Sequence, residues 1–94
     1  CVILLKGVED IICSSSECRI VAGGNSGMTK GGTGDVLAGL VASLYCKNDA
    51  FLAACSASFF NKKAADALFA KQGYYFNSSD LVAILPSIMK QYTV

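Results

Sequence analysis

A glycine-rich segment that leads directly into an apolar helix is the feature that most limits how this chain can fold. Six of the twelve residues from 23 to 34 are glycine, and Asp35 then opens the run VLAGLVASLY at 36–45. Leucine and valine recur in that run with helical spacing, and it carries no charge, which predicts a buried helix. Gly39 within it is expected to be a point of close packing. Glycine at this density is typical of a backbone that adopts conformations closed to other residues or lies close to a ligand.

The composition excludes several classes of protein. The 94 residues are 53% apolar and 16% charged, too apolar for a disordered chain and unusually apolar for a small free-standing domain. A net charge of +1 without a basic run argues against nucleic-acid binding. The absence of histidine excludes Ser-His-Asp and Cys-His catalysis and His-ligated metals within this chain. No uncharged stretch is long enough to cross a bilayer, so no membrane partner is expected.

The cysteine pattern predicts neither a metal site nor a disulfide framework. The count is odd and no CxxC spacing occurs, and the positions are Cys1, Cys13, Cys18, Cys46 and Cys55. Apolar segments already supply a core, so disulfides are not needed for stability. We therefore expect buried, reduced thiols. Because no positively charged segment precedes the first apolar run, no signal peptide is expected, and the protein is predicted to be cytoplasmic.

Three strand candidates precede the glycines. Residues 2–5 are continuously apolar, which suits a strand buried on both faces, as in parallel sheets. Residues 8–13 and 18–22 are predicted to pair as a hairpin across the polar turn at 14–17. A buried parallel strand needs neighbours that this chain hardly offers. The chain is therefore expected to be the C-terminal part of a larger α/β domain.

Two further helices are predicted after the first. One runs from Ala50 to about residue 70, with Asn48 or Asp49 as its N-cap and Gly73 as its C-cap. Its later turns are expected to expose Lys62, Lys63, Asp66 and Lys71 to solvent. Residues 78–80 are expected to cap the last helix, which Pro86 kinks or divides. Phe51, Cys55 and Phe59 form a stripe typical of core packing, and 74–76 are expected to pack the helix end or a subunit contact.

The glycine-rich segment has the chemistry of an anion site. The first turn of a helix carries free N–H groups and the positive end of the dipole, so glycines there let the backbone approach a phosphate. Lys30 adds a positive charge, and Asp35 could orient or deprotonate a substrate hydroxyl. The segment matches neither a Walker A loop nor a GxGxxG fingerprint. On composition alone, a purely structural glycine turn remains a comparable alternative.

The wording of the segment points to a family. GGTGDVLAGLVASL at 31–44 closely resembles the ribokinase-like signature, and 27–39 resembles the ADP- or ATP-dependent NAD(P)H-hydrate dehydratases. Their pattern reads roughly GMATGGTGDVLAG, and only Thr29-Lys30 departs from it. The resemblance implies an α/β fold, with this chain the C-terminal part (1–94) of a single ribokinase-like, three-layer α/β/α domain whose N-terminal part is absent. It also implies repair of NAD(P)H-hydrate to NAD(P)H with hydrolysis of ADP or ATP.

The resemblance further implies roles for individual residues. Asp35 would contact the hydrate and act as base on its C6 hydroxyl, which is phosphorylated before phosphate leaves. Mg²⁺ would shield the transferred phosphoryl group, while no residue of this chain is assigned as a metal ligand. The implied nucleotide contacts are Lys6, Gly7, Val8, Glu9, Asn25, Ser26, Gly27, Met28, Thr29, Lys30, Gly31, Gly32, Thr33 and Gly34.

Alternatives stay open at this point. Lys6 could be an ordinary lysine at a strand end, and Thr33 could be a helix N-cap. The protein could be a vitamin-precursor or sugar kinase of the same superfamily, or a non-catalytic assembly module or remnant. We expect the isolated chain to lack activity, to expose apolar surface, and to associate with the absent part of its fold or with further copies.

Overall fold

The structure, a computed structural model, describes residues 1–28 and 32–92, which form three strands followed by three helices. A short 3₁₀ turn stands between the last strand and the first helix. The strands are β1 (Ile3–Leu5), β2 (Asp10–Cys13) and β3 (Cys18–Val21), the turn is Ser26–Met28, and the helices are α1 (Thr33–Tyr45), α2 (Ala50–Gln72) and α3 (Ser78–Tyr92).

The three strands form one antiparallel sheet in the order β1-β2-β3. The predicted hairpin between β2 and β3 is confirmed, and the Ser14 hydroxyl accepts hydrogen bonds from the N–H groups of Ser16 and Glu17 in its turn. The expectation of a parallel β1 buried on both faces is wrong, because β1 pairs antiparallel with β2. Ile3 and Leu5 are 62% and 63% exposed. A continuously apolar run does not by itself reveal what covers the strand.

The two faces of the sheet have different surroundings. Asp10 and Ile12 alternate onto the face that packs against α2, and both are buried. Register places the exposed side chains of Leu5, Ile11 and Ile20 opposite one another on the other face. Among the described residues, that apolar face is left open. The expectation that this chain exposes apolar surface is confirmed.

The cysteines differ from the prediction. Cys13 and Cys18 are directly opposite each other at the end of the β2–β3 hairpin, and their sulfurs form a disulfide. The prediction of reduced, unpaired thiols is therefore wrong for this pair, because strand register, which cysteine spacing does not give, brings them together. Cys1 and Cys46 are exposed and Cys55 is half-buried, so the prediction that these thiols are buried is wrong as well.

The hydrophobic core forms between α2 and α3. Its large buried side chains are Phe60, Leu68, Phe76, Leu81, Leu85 and Ile88. The Phe51, Cys55 and Phe59 stripe is half-buried rather than fully within the core. Phe76 packs in the core and the Tyr74 ring lies 4.7 Å from that of Phe69, so the aromatic connector packs the helix end as expected.

The ends of α2 follow their capping residues. Asp49 accepts a hydrogen bond from the Leu52 N–H at 2.9 Å, which confirms it as the N-cap. Gly73 ends the helix with a φ of 63°, and its N–H donates to the Phe69 carbonyl. Both boundaries were readable because capping acts locally.

The other two helices depart from their predictions. Helix α1 begins at Thr33 and its N-cap is Gly32, so the interpretation of Thr33 as the N-cap is wrong. Only Thr33 and Leu37 are buried along this helix. A Cβ on Gly39 would meet no atom of the described residues within 4 Å, so the prediction of close packing at Gly39 is wrong as well. The open side of α1 has no covering element among the described residues.

Helix α3 starts earlier than predicted and is not divided. Asn77 and Asp80 exchange side-chain hydrogen bonds with each other's N–H groups, a capping box that starts the helix. The helix continues through Pro86, with Leu85 and Ile88 buried on either side of it. Packing thus holds the helix together across the proline. Within the described ranges, no helix is long and apolar enough to cross a membrane.

Candidate functional site

A cavity of about 820 Å³ opens where the β1–β2 turn, the glycine-rich loop and the start of α1 meet α2. We call residues 6–8 the turn wall and residues 23–28 the loop wall. The lining residues are Lys6, Gly7, Val8, Asp10, Gly23, Gly24, Asn25, Met28, Thr33, Gly34, Leu37, Asn61 and Lys62. Its size is within the range of sites for small molecules and cofactors.

Asp10 holds the turn wall in shape. One carboxylate oxygen, Oδ1, accepts a hydrogen bond from the Gly7 N–H at 3.1 Å. The other, Oδ2, accepts one at 2.7 Å from the hydroxyl of Ser58, which lies on α2 and is fully buried. The carboxylate therefore connects the turn to the helix behind it.

Lys62 makes the second connection between the turn wall and α2. Its ammonium lies 3.6 Å from Asp10 Oδ1 and donates to the carbonyls of Val8 and Gly7 at 3.3 and 3.5 Å. The lysine is 4% exposed, so these partners replace the water that a charged group needs. The prediction that Lys62 is exposed to solvent is wrong, because Asp10 and the carbonyls of Gly7 and Val8 surround its ammonium group.

Asp66, one turn beyond Lys62 on α2, holds the loop wall. Its carboxylate accepts hydrogen bonds from the Gly24 N–H at 3.1 Å and the Asn25 Nδ2 at 3.2 Å. Asn25 Nδ2 also donates to the Ala65 carbonyl, and its Oδ1 accepts from the Gly27 N–H. Gly24 has a φ of 79°, a conformation that favours glycine. Helix α2 thus supports both walls of the cavity.

The first turn of α1 supplies an anion-binding end. A Cβ placed on Gly34 would lie 2.8 Å from the Lys6 ammonium, so the missing side chain lets that charge lie against the start of the helix. The free N–H groups and the dipole of the helix favour negative charge at the same place. The Thr33 hydroxyl donates to the Met28 carbonyl at 2.7 Å and joins the helix start to the loop wall. A phosphate group suits these donors.

The structure brings together half of the predicted nucleotide contacts. Lys6, Gly7, Val8, Asn25, Met28, Thr33 and Gly34 line the cavity. Glu9 is exposed on the turn, and Gly32 caps α1 without lining the cavity. The backbone of Ser26 lies in the 3₁₀ turn. Thr29, Lys30 and Gly31 lie outside the described residues.

Gly27 and Asp35 are placed differently from the other predicted contacts. A Cβ on Gly27 would lie 2.7 Å from the Phe76 ring, so Gly27 packs against the core rather than lining the cavity. Asp35 is exposed in the first turn of α1, beside the cavity rather than in its lining. Asp35 is therefore adjacent in sequence to the lining residue Gly34 but does not itself line the cavity.

Several residues of the site were not predicted as such from the sequence. They are the lining residues Asp10, Gly23, Gly24, Leu37, Asn61 and Lys62, together with Asp66, which holds the loop wall. The i, i+4 spacing of Lys62 and Asp66 places both on one face of α2, which was the available signal. Lys62 pairs with Asp10, and Asp66 binds Gly24 and Asn25. Because these partners lie about 40 or more residues away along the chain, local sequence patterns could not indicate the contacts.

In the ranges 1–28 and 32–92, no three carboxylate or thiol side chains cluster closely enough to hold a metal ion. Both oxygens of Asp10, the carboxylate in the cavity, already accept hydrogen bonds. Mg²⁺ usually takes only one or two carboxylates together with phosphates and water, so these residues would leave most of its ligands to a bound phosphate group and water.

Comparison with known proteins identifies relatives over nearly the whole chain. The bifunctional NAD(P)H-hydrate repair enzyme Nnr of Archaeoglobus fulgidus is 52% identical over 85 residues, which are 90% of this chain and 18% of that protein. The ADP-dependent (S)-NAD(P)H-hydrate dehydratase of Nitrosopumilus maritimus is 41% identical over 91 residues, which are 96% of this chain and 32% of that protein. The chain therefore spans between about a fifth and a third of the length of these relatives.

Solved structures show the same fold. The ADP/ATP-dependent NAD(P)H-hydrate dehydratase of Bacillus subtilis, co-crystallised with ATP and Mg²⁺, matches with a TM-score of 0.92 and 28% identity over 98% of this chain and 34% of that one. A ribokinase-like superfamily protein of Enterococcus faecalis matches with a TM-score of 0.84 and 31% identity over 98% of this chain and 32% of that one. The predicted α/β, ribokinase-like fold is confirmed.

The family model described as NAD(P)H-hydrate dehydratase matches residues 1–87, which include the turn wall, the loop wall and all of α1 and α2. The match thus covers every element that forms the cavity. Together with the relative that is 52% identical over 90% of this chain, it shows that the chain belongs to the NAD(P)H-hydrate dehydratase family.

Proposed function

We propose that the protein containing this chain dehydrates NAD(P)H-hydrate back to NAD(P)H, coupled to hydrolysis of ADP or ATP. The supporting observation is the anion-binding end of the cavity, where Lys6 lies against the first turn of α1 at Gly34. That turn carries the motif by which the sequence resembles the family. The relatives named for this reaction include both bifunctional repair enzymes and single dehydratases.

In the proposed complex, the nucleotide occupies the cavity with its phosphates at the start of α1. Lys6 and the N–H groups of the first helical turn bind the terminal phosphate, and the turn and loop walls enclose the remainder of the nucleotide. Mg²⁺ would arrive bound to these phosphates and supply charge neutralisation.

Asp35 would act on the hydrate at the open side of the site. Its carboxylate takes the proton of the C6 hydroxyl, and the hydroxyl oxygen forms a bond to the terminal phosphorus while the phosphoanhydride bond breaks. AMP or ADP leaves with the electron pair of that bond. Loss of phosphate from C6 and of a proton from the neighbouring carbon then restores the double bond of the nicotinamide ring.

The remainder of the fold is part of the proposal. The open apolar sheet face at Leu5, Ile11 and Ile20 fits a chain that is the C-terminal part of one ribokinase-like domain. The absent N-terminal part would cover it, complete the hydrate pocket, and be required for activity. We further propose a cytoplasmic homo-oligomer, consistent with a nicotinamide nucleotide as substrate.

The experiment is a spectrophotometric assay of the full-length protein with NADH-hydrate, Mg²⁺ and either ADP or ATP. Asp35→Asn should abolish turnover and largely spare nucleotide binding, because it removes the base without changing the phosphate contacts. Phosphorylation of a vitamin precursor or sugar with no activity on the hydrate would instead identify a kinase. Absence of nucleotide binding by calorimetry would favour a non-catalytic module. Full turnover by residues 1–94 alone would refute the need for the absent part.

A further inference from the structure

Asn61 carries a buried hydrogen-bond acceptor with no partner. It lies on α2 next to Lys62, is 3% exposed, and lines the cavity. Its Oδ1 makes no hydrogen bond within residues 1–28 and 32–92. Buried polar atoms are nearly always paired, since an unpaired one loses its hydration without compensation.

The position of Asn61 gives that acceptor a place in the site. Helix α2 is held against the turn wall by Lys62 and against the loop wall by Asp66. A side chain on such a fixed element can bind a ligand without a loop having to be ordered first. An acceptor kept unpaired on the wall of a cavity suits a group that arrives with a ligand.

The chemistry of the acceptor decides which part of a ligand it can bind. A carboxamide oxygen accepts from an N–H or O–H group and cannot pair with an ionised phosphate oxygen. The phosphate-binding donors lie elsewhere in the cavity, at Lys6 and the first turn of α1. The acceptor is therefore suited to the base or the ribose, both of which carry hydrogen-bond donors.

We propose that Asn61 is a ligand-contacting residue whose Oδ1 accepts a hydrogen bond from an N–H or O–H group of the nucleotide's base or ribose. This inference rests on the proposed function, because it takes the cavity as the nucleotide site. In the ligand-free protein the same side chain lowers the stability of the fold, because its acceptor is buried without a hydrogen bond. Asn61 is thus a position where ligand recognition and stability oppose each other.

The test compares Asn61→Leu with the wild type in the full-length protein, using calorimetry with ADP and with inorganic pyrophosphate. Leucine is close to asparagine in size but has no acceptor. We expect the Kd for ADP to rise about tenfold, the size of one lost hydrogen bond, and the Kd for pyrophosphate to stay unchanged. Asn48→Leu is the control: Asn48 is exposed between α1 and α2 and should leave both affinities unchanged.

The outcomes separate this assignment from the proposed function. Selective loss of ADP affinity supports it, and an unchanged or higher melting temperature of the ligand-free variant agrees with removal of an unpaired acceptor. Unchanged ADP affinity, or equal losses for ADP and pyrophosphate, overturns the role of Asn61 and leaves the proposed function standing. A wild-type protein that binds neither ligand overturns both.

Discussion

The ammonium of Lys62 lies 3.6 Å from the carboxylate of Asp10, and both side chains are more than nine-tenths buried. This pair joins α2 to the turn that forms one wall of the cavity. Each charge has further partners, the Ser58 hydroxyl on Asp10 and the Val8 carbonyl on Lys62. A buried charge that keeps its partners is tolerated, and one that loses them is costly.

Lys62→Met should destabilise the full-length protein by about 3–5 kcal/mol, because it leaves the Asp10 carboxylate buried without its cation. The free energy of unfolding from urea denaturation measures this. In the double variant Lys62→Met/Asp10→Asn, no buried charge is left unpaired. We expect about half or more of the lost stability to return. A double variant as unstable as the sum of the two single variants would contradict the coupling.

The Gly34→Ala variant should fold normally but bind nucleotide more weakly than the wild type. The new methyl group would lie 2.8 Å from the Lys6 ammonium, which sits at the end of a flexible side chain and can move away. Losing that charged contact should raise the Kd for ADP about tenfold or more, while stability changes by less than about 1 kcal/mol. Calorimetry and urea denaturation of the full-length protein check the two expectations.

Gly39→Ala, in the same helix, is the matched control for Gly34→Ala. A Cβ there meets nothing within 4 Å in the part of the chain that the structure describes. Alanine in a helix interior is more stable than glycine by about 0.5–1 kcal/mol. Its ADP affinity should equal that of the wild type. Equal affinities for both alanine variants would refute the role given to the Lys6 contact with α1.

Gly27→Ala should reduce stability directly. Its Cβ would approach the Phe76 ring to 2.7 Å, and Phe76 is packed in the core and 3% exposed. Forcing a methyl group into such a contact costs about 1–3 kcal/mol. A fall in melting temperature measures it, and Gly27→Ala combined with Phe76→Leu should lose less than the sum of the two separate changes. Strict additivity would show that the two positions are not in contact.

Cys55 should react slowly with alkylating reagents. Burial raises the pKa of its thiol, an effect that Arg19 partly offsets, so a smaller fraction is thiolate near neutral pH. Its alkylation rate should lag behind that of the exposed Cys46 and continue to rise as the pH increases above the ordinary thiol range. Peptide mass spectrometry after timed iodoacetamide treatment gives both rates. Equal rates at pH 8 would contradict the expectation.

The parts of the fold that local chemistry decides were predictable from the sequence. The hairpin turn at 14–17, the Asp49 cap and the end of α2 at Gly73 each depend on residues within one turn of themselves. The glycine-rich segment before α1 indicated an anion site for the same reason. Family resemblance then named seven of the residues that line the cavity, among them Lys6 and Gly34.

Long-range pairing accounts for what the sequence did not reveal. Lys62 on a helix ordinarily points to water, and only the distant Asp10 makes its burial possible. Cys13 and Cys18 are joined because strand register places them opposite each other. The exposure of β1 and α1 depends on which elements pack against them, and the pattern of apolar residues along the chain does not indicate those elements.

The four-residue spacing between Lys62 and Asp66 makes α2 sensitive to changes in its length. One residue inserted between them would rotate Asp66 by about 100° around the helix axis relative to Lys62. Only one wall of the cavity could then keep its support, although every original side chain would still be present. Insertions and deletions in this stretch of α2 should therefore be far rarer among functional sequences than substitutions on its outer face.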